Sequence, residues 1–189
     1  NYGYTQTIYP ASLFAGSDTL FGISYQISST PSSYPVRPID VYIGTPGGRT
    51  SLDTNNFVPV SELTQVADNF LLDVSTTGWT TIMFDTPYAL PADSNIVIAV
   101  VNRTGHYSSI SWRGHTDESY AVYWYRDGAY IDPANPNSPY NNSTPSRGKT
   151  QTVPSIQIIG NCDLDNLCTA PIVILDSVST TSVSLSWAA

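Results

Sequence analysis

The chain's two histidines, His106 and His115, are where catalysis would be sought first, and both stand in polar, turn-rich settings. A serine-nucleophile site needs an exposed serine on a strained turn, commonly in a Gly-x-Ser-x-Gly frame, with a histidine to take its proton. That frame does not occur. His115-Thr116-Asp117-Glu118 sets an imidazole beside two acids, but a transition-metal set wants a second histidine or a cysteine at ligand spacing. Glycoside hydrolysis asks for two carboxyl groups a few ångströms apart across a cleft. Asp117, Glu118, Asp127 and Asp132 are the acids that could converge in that way. The segment Gly44-Thr45-Pro46-Gly47-Gly48-Arg49-Thr50 has the glycines of a phosphate loop without its Gly-Lys-Ser/Thr ending, so it reads as a hairpin turn. The expectation is a chain that is not an enzyme.

The aromatic residues are more suggestive. Trp112, Tyr120, Tyr123, Trp124, Tyr125, Tyr130 and Tyr140 fall within one short span. On a strand Tyr123 and Tyr125 share one face, and Trp124 takes the other. Both faces cannot be core in a single sandwich. Either one face offers rings to solvent, or rings pack beneath the long loop that follows. An exposed ring gives a sugar a flat C–H-binding surface, with amides, acids and guanidinium groups completing the hydroxyl contacts. The ligand-binding residues expected on this basis are Trp112, Trp124, Tyr125, Arg126, Asp127 and Tyr130, with Arg113 and Asn135 as further polar neighbours.

Two oxygen-rich stretches, Asp53-Thr54-Asn55-Asn56 and Asp163-Leu164-Asp165-Asn166, suit calcium, although neither has the full twelve-residue helix–loop–helix pattern. A structural calcium ion is the one cofactor expected. Cys162 and Cys168 enclose a short polar loop and, outside a cell, would be oxidised to a local disulfide. So short a loop contributes roughly 2–3 kcal/mol. Asn102-Arg103-Thr104, Asn141-Asn142-Ser143 and Asn142-Ser143-Thr144 match the N-glycan acceptor triplet, a pattern short enough to arise by chance.

The elements that must position these residues follow a period of two. Ile23, Tyr25 and Ile27 alternate with polar neighbours, as do Ile39, Val41 and Ile43, Ile82 and Phe84, and Ile156 and Ile158; each run reads as a strand with one face in the core. Ile96–Val101 is apolar on both faces and reads as a central strand covered on both sides. Leu63, Val66, Ala67, Phe70 and Leu71 fit an amphipathic helix after a cap at Ser61, but the all-β surroundings favour two short strands. Fourteen prolines leave little room for helices. From Asp132 to Lys149 the chain is rich in Asn, Pro, Ser and Tyr and reads as one long loop. One-sided strands have to bury their faces against each other, so the expected fold is an all-β, two-sheet antiparallel sandwich, jelly-roll-like, over 1–160.

Composition narrows the context. Only 12% of the residues are charged and 41% are hydrophobic, the balance of secreted β proteins that owe solubility to hydroxyls and amides. A net charge of −8 with seven Lys and Arg provides no cation cluster for a polyanion, which excludes nucleic acid and anionic membrane as partners. No apolar run is long enough to span a bilayer. No signal-peptide pattern opens the chain, as expected of a mature or trimmed segment.

Residues 169–187 begin with a proline-led apolar strand and end with Val183-Ser184-Leu185-Ser186-Trp187. They resemble the first two strands of a fibronectin type III module. The order Ile8–Leu13, Phe21–Tyr25, Val41–Thr45, Val58–Val66, Gly78-Trp79…Asp85-x-Pro87-Tyr88 and Asn95–Val100 is similar to a β-sandwich module of surface and secreted proteins of Bacteroidetes. It looks like a distant relative of the adhesin modules attached to gingipain-type proteases and haemagglutinins. The likeness implies a non-catalytic module on a cell surface or outside the cell, serving adhesion, glycan binding or scaffolding, with a glycan or a host surface or matrix protein as partner beside neighbouring modules. The alternative is a purely structural spacer or accessory domain of a secreted hydrolase. The shared motif is structural: Trp79 and Phe84 are expected in the core, with Pro87 ending a strand. The expected division is a sandwich over 1–160, a Cys-stapled linker over 161–170 and the truncated module over 171–189.

Overall fold

The computed structural model describes residues 1–161, 172–178 and 183–188. The Cys162–Cys168 pair and the Asp163–Asn166 stretch lie outside the described residues. The strands are β1 (Tyr2–Tyr9), β2 (Thr19–Ser29), β3 (Val36–Gly44), β4 (Thr64–Asp73), β5 (Gly78–Ala89), β6 (Ile96–Asn102), β7 (Ser111–Trp112), β8 (Gly114–Arg126), β9 (Ser146–Pro154), β10 (Ile156–Gly160), β11 (Ile172–Val178) and β12 (Val183–Ala188). Two 3-10 turns, Ala11–Phe14 and Val60–Glu62, complete the elements among the described residues. β11 and β12 pair antiparallel as a separate two-stranded unit.

The expected two-sheet antiparallel sandwich is what forms. A six-stranded sheet runs β4-β3-β6-β1-β8-β9, and a smaller one runs β10-β2-β5, with β7 paired to β2 beyond the end of β10. β6 is central, between β3 and β1. Its unbroken apolar run has the expected cause: Ile96 and Ile98 enter a core between the sheets, while Val97, Ala99 and Val101 enter a second core on the outer face of the larger sheet. Two loops, 45–63 and 127–145, bring Leu52, Val58 and Ile131 down onto that outer face.

Several local expectations need correction. Residues 64–73 make one strand rather than two or a helix, and its helix-like spacing comes from two bulges opposite β3. The register skips between Ile39 and Val41, and again between Val41 and Tyr42. Each extra residue shifts the side chains that follow to the other face, which sets Val66 and Ala67 side by side in the core. Asn69 takes a left-handed φ of 52° at the first bulge, a conformation asparagine tolerates better than most residues. The Pro46-Gly47-Gly48 segment turns the chain, with Arg49 N–H donating to the Pro46 carbonyl, but it opens the long 45–63 cover rather than a tight hairpin. Trp79 lies 44% exposed instead of in the core, although Phe84 does pack against it. Pro87 sits inside β5 rather than ending it; β5 is an edge strand, where a missing N–H costs little. The loop expected to reach Lys149 stops short, because Ser146–Lys149 already belong to β9.

Candidate functional site

The inner face of the larger sheet is uneven in chemistry. On β3 and β6 it carries Ile39, Val41, Ile43, Ile96 and Ile98, which meet Ile23, Ile27 and Ile82 of the smaller sheet. On β1, β8 and β9 the same face carries Thr7, Ala121 and Thr150 in register across the strands, with Thr5 opposite Tyr123 and Gly3 opposite Tyr125 beside them. Small side chains do not fill the space between two sheets about 10 Å apart. The smaller sheet is also too narrow to cover all six strands. The result is a cleft of about 370 Å³ between the sheets, at the lower end of the ~300–1,000 Å³ usual for ligand sites.

Rings line the cleft from both walls. Tyr123 and Tyr125 project from β8 and stack on each other at 6.3 Å. Trp112 of β7 faces them from the smaller sheet and meets Tyr25 of β2 edge-on at 5.8 Å. Tyr123 lies across Gly148 of β9 so closely that a Cβ there would stand 2.6 Å from its hydroxyl oxygen; glycine at 148 is what lets the ring lie down. Burial raises the Tyr25 hydroxyl above its ordinary range, so it remains a neutral donor. Thr5, Thr150 and Thr152 supply hydroxyls, and Thr5 and Thr152 are open to solvent.

Arg37 forms one end of the cleft. It continues the inward row of Ile39, Val41 and Ile43 on β3, yet carries a guanidinium and is only 6% exposed. Its Nη2 donates to the Ser108 carbonyl at 2.7 Å, which ties down the 103–110 loop. Among the described residues its buried Nε–H has no acceptor; an unmet donor of this kind costs about 1–3 kcal/mol. Burial alone pulls its pKa down, though a guanidinium stays protonated throughout the physiological range.

The six expected ligand residues are divided between opposite sides of the sheet. Trp112 and Tyr125 meet in the cleft, Tyr125 with 46% of its surface exposed. Trp124 is 1% exposed under the 127–145 loop, against Tyr4 at 5.5 Å and Phe57 at 5.1 Å. Its Nε1–H donates to Asn137 Oδ1, which also accepts from Arg147, and Asn137 in turn donates to the Thr54 carbonyl. Its indole therefore seals the outer face and offers no surface to a ligand. Arg126 belongs to the same side, with Nη2 donating to the Ser138 carbonyl. Tyr130 also lies there, edge-on to Tyr2 and 5.8 Å from the Arg103 guanidinium. Asp127 is exposed just past the end of β8. Sequence reasoning passed over Tyr25 and Arg37. The signal for Arg37 was present, a base on the buried parity of a strand.

The remaining candidates are placed as follows. Asp117 and Asp127 lie near opposite ends of β8, roughly 30 Å apart at strand rise, so those two do not form a carboxyl pair. The Asp53 carboxylate accepts from the Asn55 and Asn56 N–H groups, which lower its pKa and close the turn. Among the described residues no three His, Cys, Asp or Glu side chains gather in a group that could hold a metal. Nor is any described helix long and apolar enough to cross a membrane. Comparison with known proteins finds no matching family model, no matching curated protein and no matching solved structure. The class that fold and cleft define is an all-β, two-sheet sandwich with an aromatic-lined opening between its sheets.

Proposed function

We propose that this chain is a non-catalytic binding module of a secreted or cell-surface protein, taking a saccharide in the cleft between its sheets. The observation that carries this reading is the cleft wall, where Tyr25, Trp112, Tyr123 and Tyr125 surround a floor of threonine hydroxyls. A sugar supplies both complements, C–H faces to lie on rings and hydroxyls to bond oxygens. The separation of Asp117 from Asp127 along β8 supports the non-catalytic side of the proposal. The sparsely charged, hydroxyl-rich composition and the likeness to Bacteroidetes adhesin modules support an extracellular setting. In that setting the sandwich is a jelly-roll relative, β11–β12 opens a fibronectin type III module, and the partners are a glycan or host matrix protein and the neighbouring modules.

The competing reading is a structural spacer, favoured by the investment in the outer face, where two loops bury Trp124, Tyr4 and Ile131 without forming a site. A glycan and host-matrix array separates the two, run with calcium and again with chelator to test for a structural ion. Saturable binding that weakens about tenfold, near 1.4 kcal/mol, on Trp112→Ala or Tyr125→Ala supports the module. No binding under either condition supports the spacer.

A further inference from the structure

We propose that the saccharide taken by the cleft is an acidic one, and that Arg37 receives its carboxylate. This rests on the reading of the cleft as a saccharide site and adds to it the charge of the ligand. Arg37 occupies a position where the β3 pattern asks for an aliphatic side chain. Among the described residues lining the cleft it is the one charged group. Among the described residues no carboxylate lies within ion-pair distance of it. The chain carries fifteen acids to seven bases; Arg49 is paired with Glu62, and Arg103 with Asp40 and Asp68.

A buried charge is ordinarily paired or fully hydrogen-bonded. Arg37 has one carbonyl, that of Ser108, and an Nε–H without an acceptor. Burial with no acid to offset it lowers the guanidinium pKa, in keeping with a missing counter-ion. A carboxylate matches the guanidinium fork with charge-assisted, paired hydrogen bonds, while Trp112 and Tyr125 offer ring faces to the same sugar. Arg126 is the internal comparison. It too has an unmet Nε–H and one carbonyl partner, Ser138, but it lies outside the cleft and holds the outer loop. The net charge of −8 repels polyanions at long range, so a single chain end entering the cleft fits better than a polymer lying along the surface.

Calorimetric titration of the wild type with trigalacturonate, its methyl ester and neutral cellotriose tests the proposal. The acid should bind at least about tenfold tighter than the ester. Arg37→Met should abolish that difference, and Arg37→Lys should keep part of it. Trp112→Ala should weaken acid and ester alike. Equal binding of acid and ester, or binding of cellotriose alone, overturns the role of Arg37 and leaves the cleft as a saccharide site. Failure of all three ligands, with a blank glycan array, overturns both readings. The acid–ester comparison uses only the wild type, so it decides the question even if Arg37→Met does not fold.

Discussion

Trp124 and Tyr125 are consecutive residues of β8, and the fold treats them as opposites. Trp124 points to the outer face and is 1% exposed, beneath a loop that hydrogen-bonds its indole; Tyr125 points between the sheets and is 46% exposed. The usual arrangement of a sandwich, core between the sheets and water outside, is here partly reversed along β1, β8 and β9. What covers a sheet face is decided by its neighbours in space. On the outer side Gln6 shows how the cover is attached: its amide donates to the Val58 carbonyl and accepts from the Val58 N–H, while being fully buried. On the inner side a narrow second sheet and a floor of glycine, alanine and threonine leave room instead.

Substitutions on the two faces should therefore separate stability from binding. The largest effect is expected for Trp124→Ala, which empties a ring-filled site and should cost about 3–5 kcal/mol in urea unfolding. A cost below about 1 kcal/mol would mean that the loop cover is dispensable. Next comes Asp40→Ala, on the same face. Asp40 is fully buried, accepts from Arg103 Nε at 2.6 Å and from the Asn69 N–H at 2.9 Å, and so pins the β4 bulge. A buried pair broken from one side costs up to several kcal/mol. Since the Arg103 side chain is 34% exposed and can rehydrate, about 1–3 kcal/mol is expected by the same denaturation.

A milder probe is alkali. Burial raises the Tyr42 hydroxyl from about 10 to about 12 and also raises that of Tyr4, both against the outer cover. A raised pKa means that the folded state favours the neutral phenol. This contribution is complete below pH ~10 and is lost as pH rises through about 12. Unfolding midpoints should fall over that window, and Tyr42→Phe should flatten the fall. The smallest stability effect is expected at Tyr125→Ala, within about 0.5 kcal/mol, although the proposed saccharide binding should weaken about tenfold. If Tyr125→Ala destabilises as much as Trp124→Ala, the inner face is core and the contrast between the faces disappears.

Much of this arrangement could be read from the chain. The alternation at Ile23–Ile27, Ile39–Ile43 and Ile156–Ile158 marked strands correctly, and the two-sided apolar run 96–101 marked the central one, because side-chain parity is a local property. Parity also separated Trp124 from Tyr123 and Tyr125. Trp79 went astray although parity placed it: it falls on the Thr81 and Met83 side of β5, opposite Ile82 and Phe84, and that side faces water. The helical spacing of 63–71 misled because a bulge inserts a residue wherever the partner strand demands it.

By itself the sequence determined the all-β character, the one-sided strands and the acidic charge balance, and it carried, unread, a base at position 37 on the β3 core row. Only the tertiary structure decided which face of β8 was sealed, that Tyr25 and Trp112 line one cleft with Tyr123 and Tyr125, and that among the described residues Arg37 stands there without an acid. The physical reason is range. Strand periodicity is set by backbone geometry between adjacent residues, whereas burial and charge pairing depend on segments far apart in the chain that meet only when the sheets close.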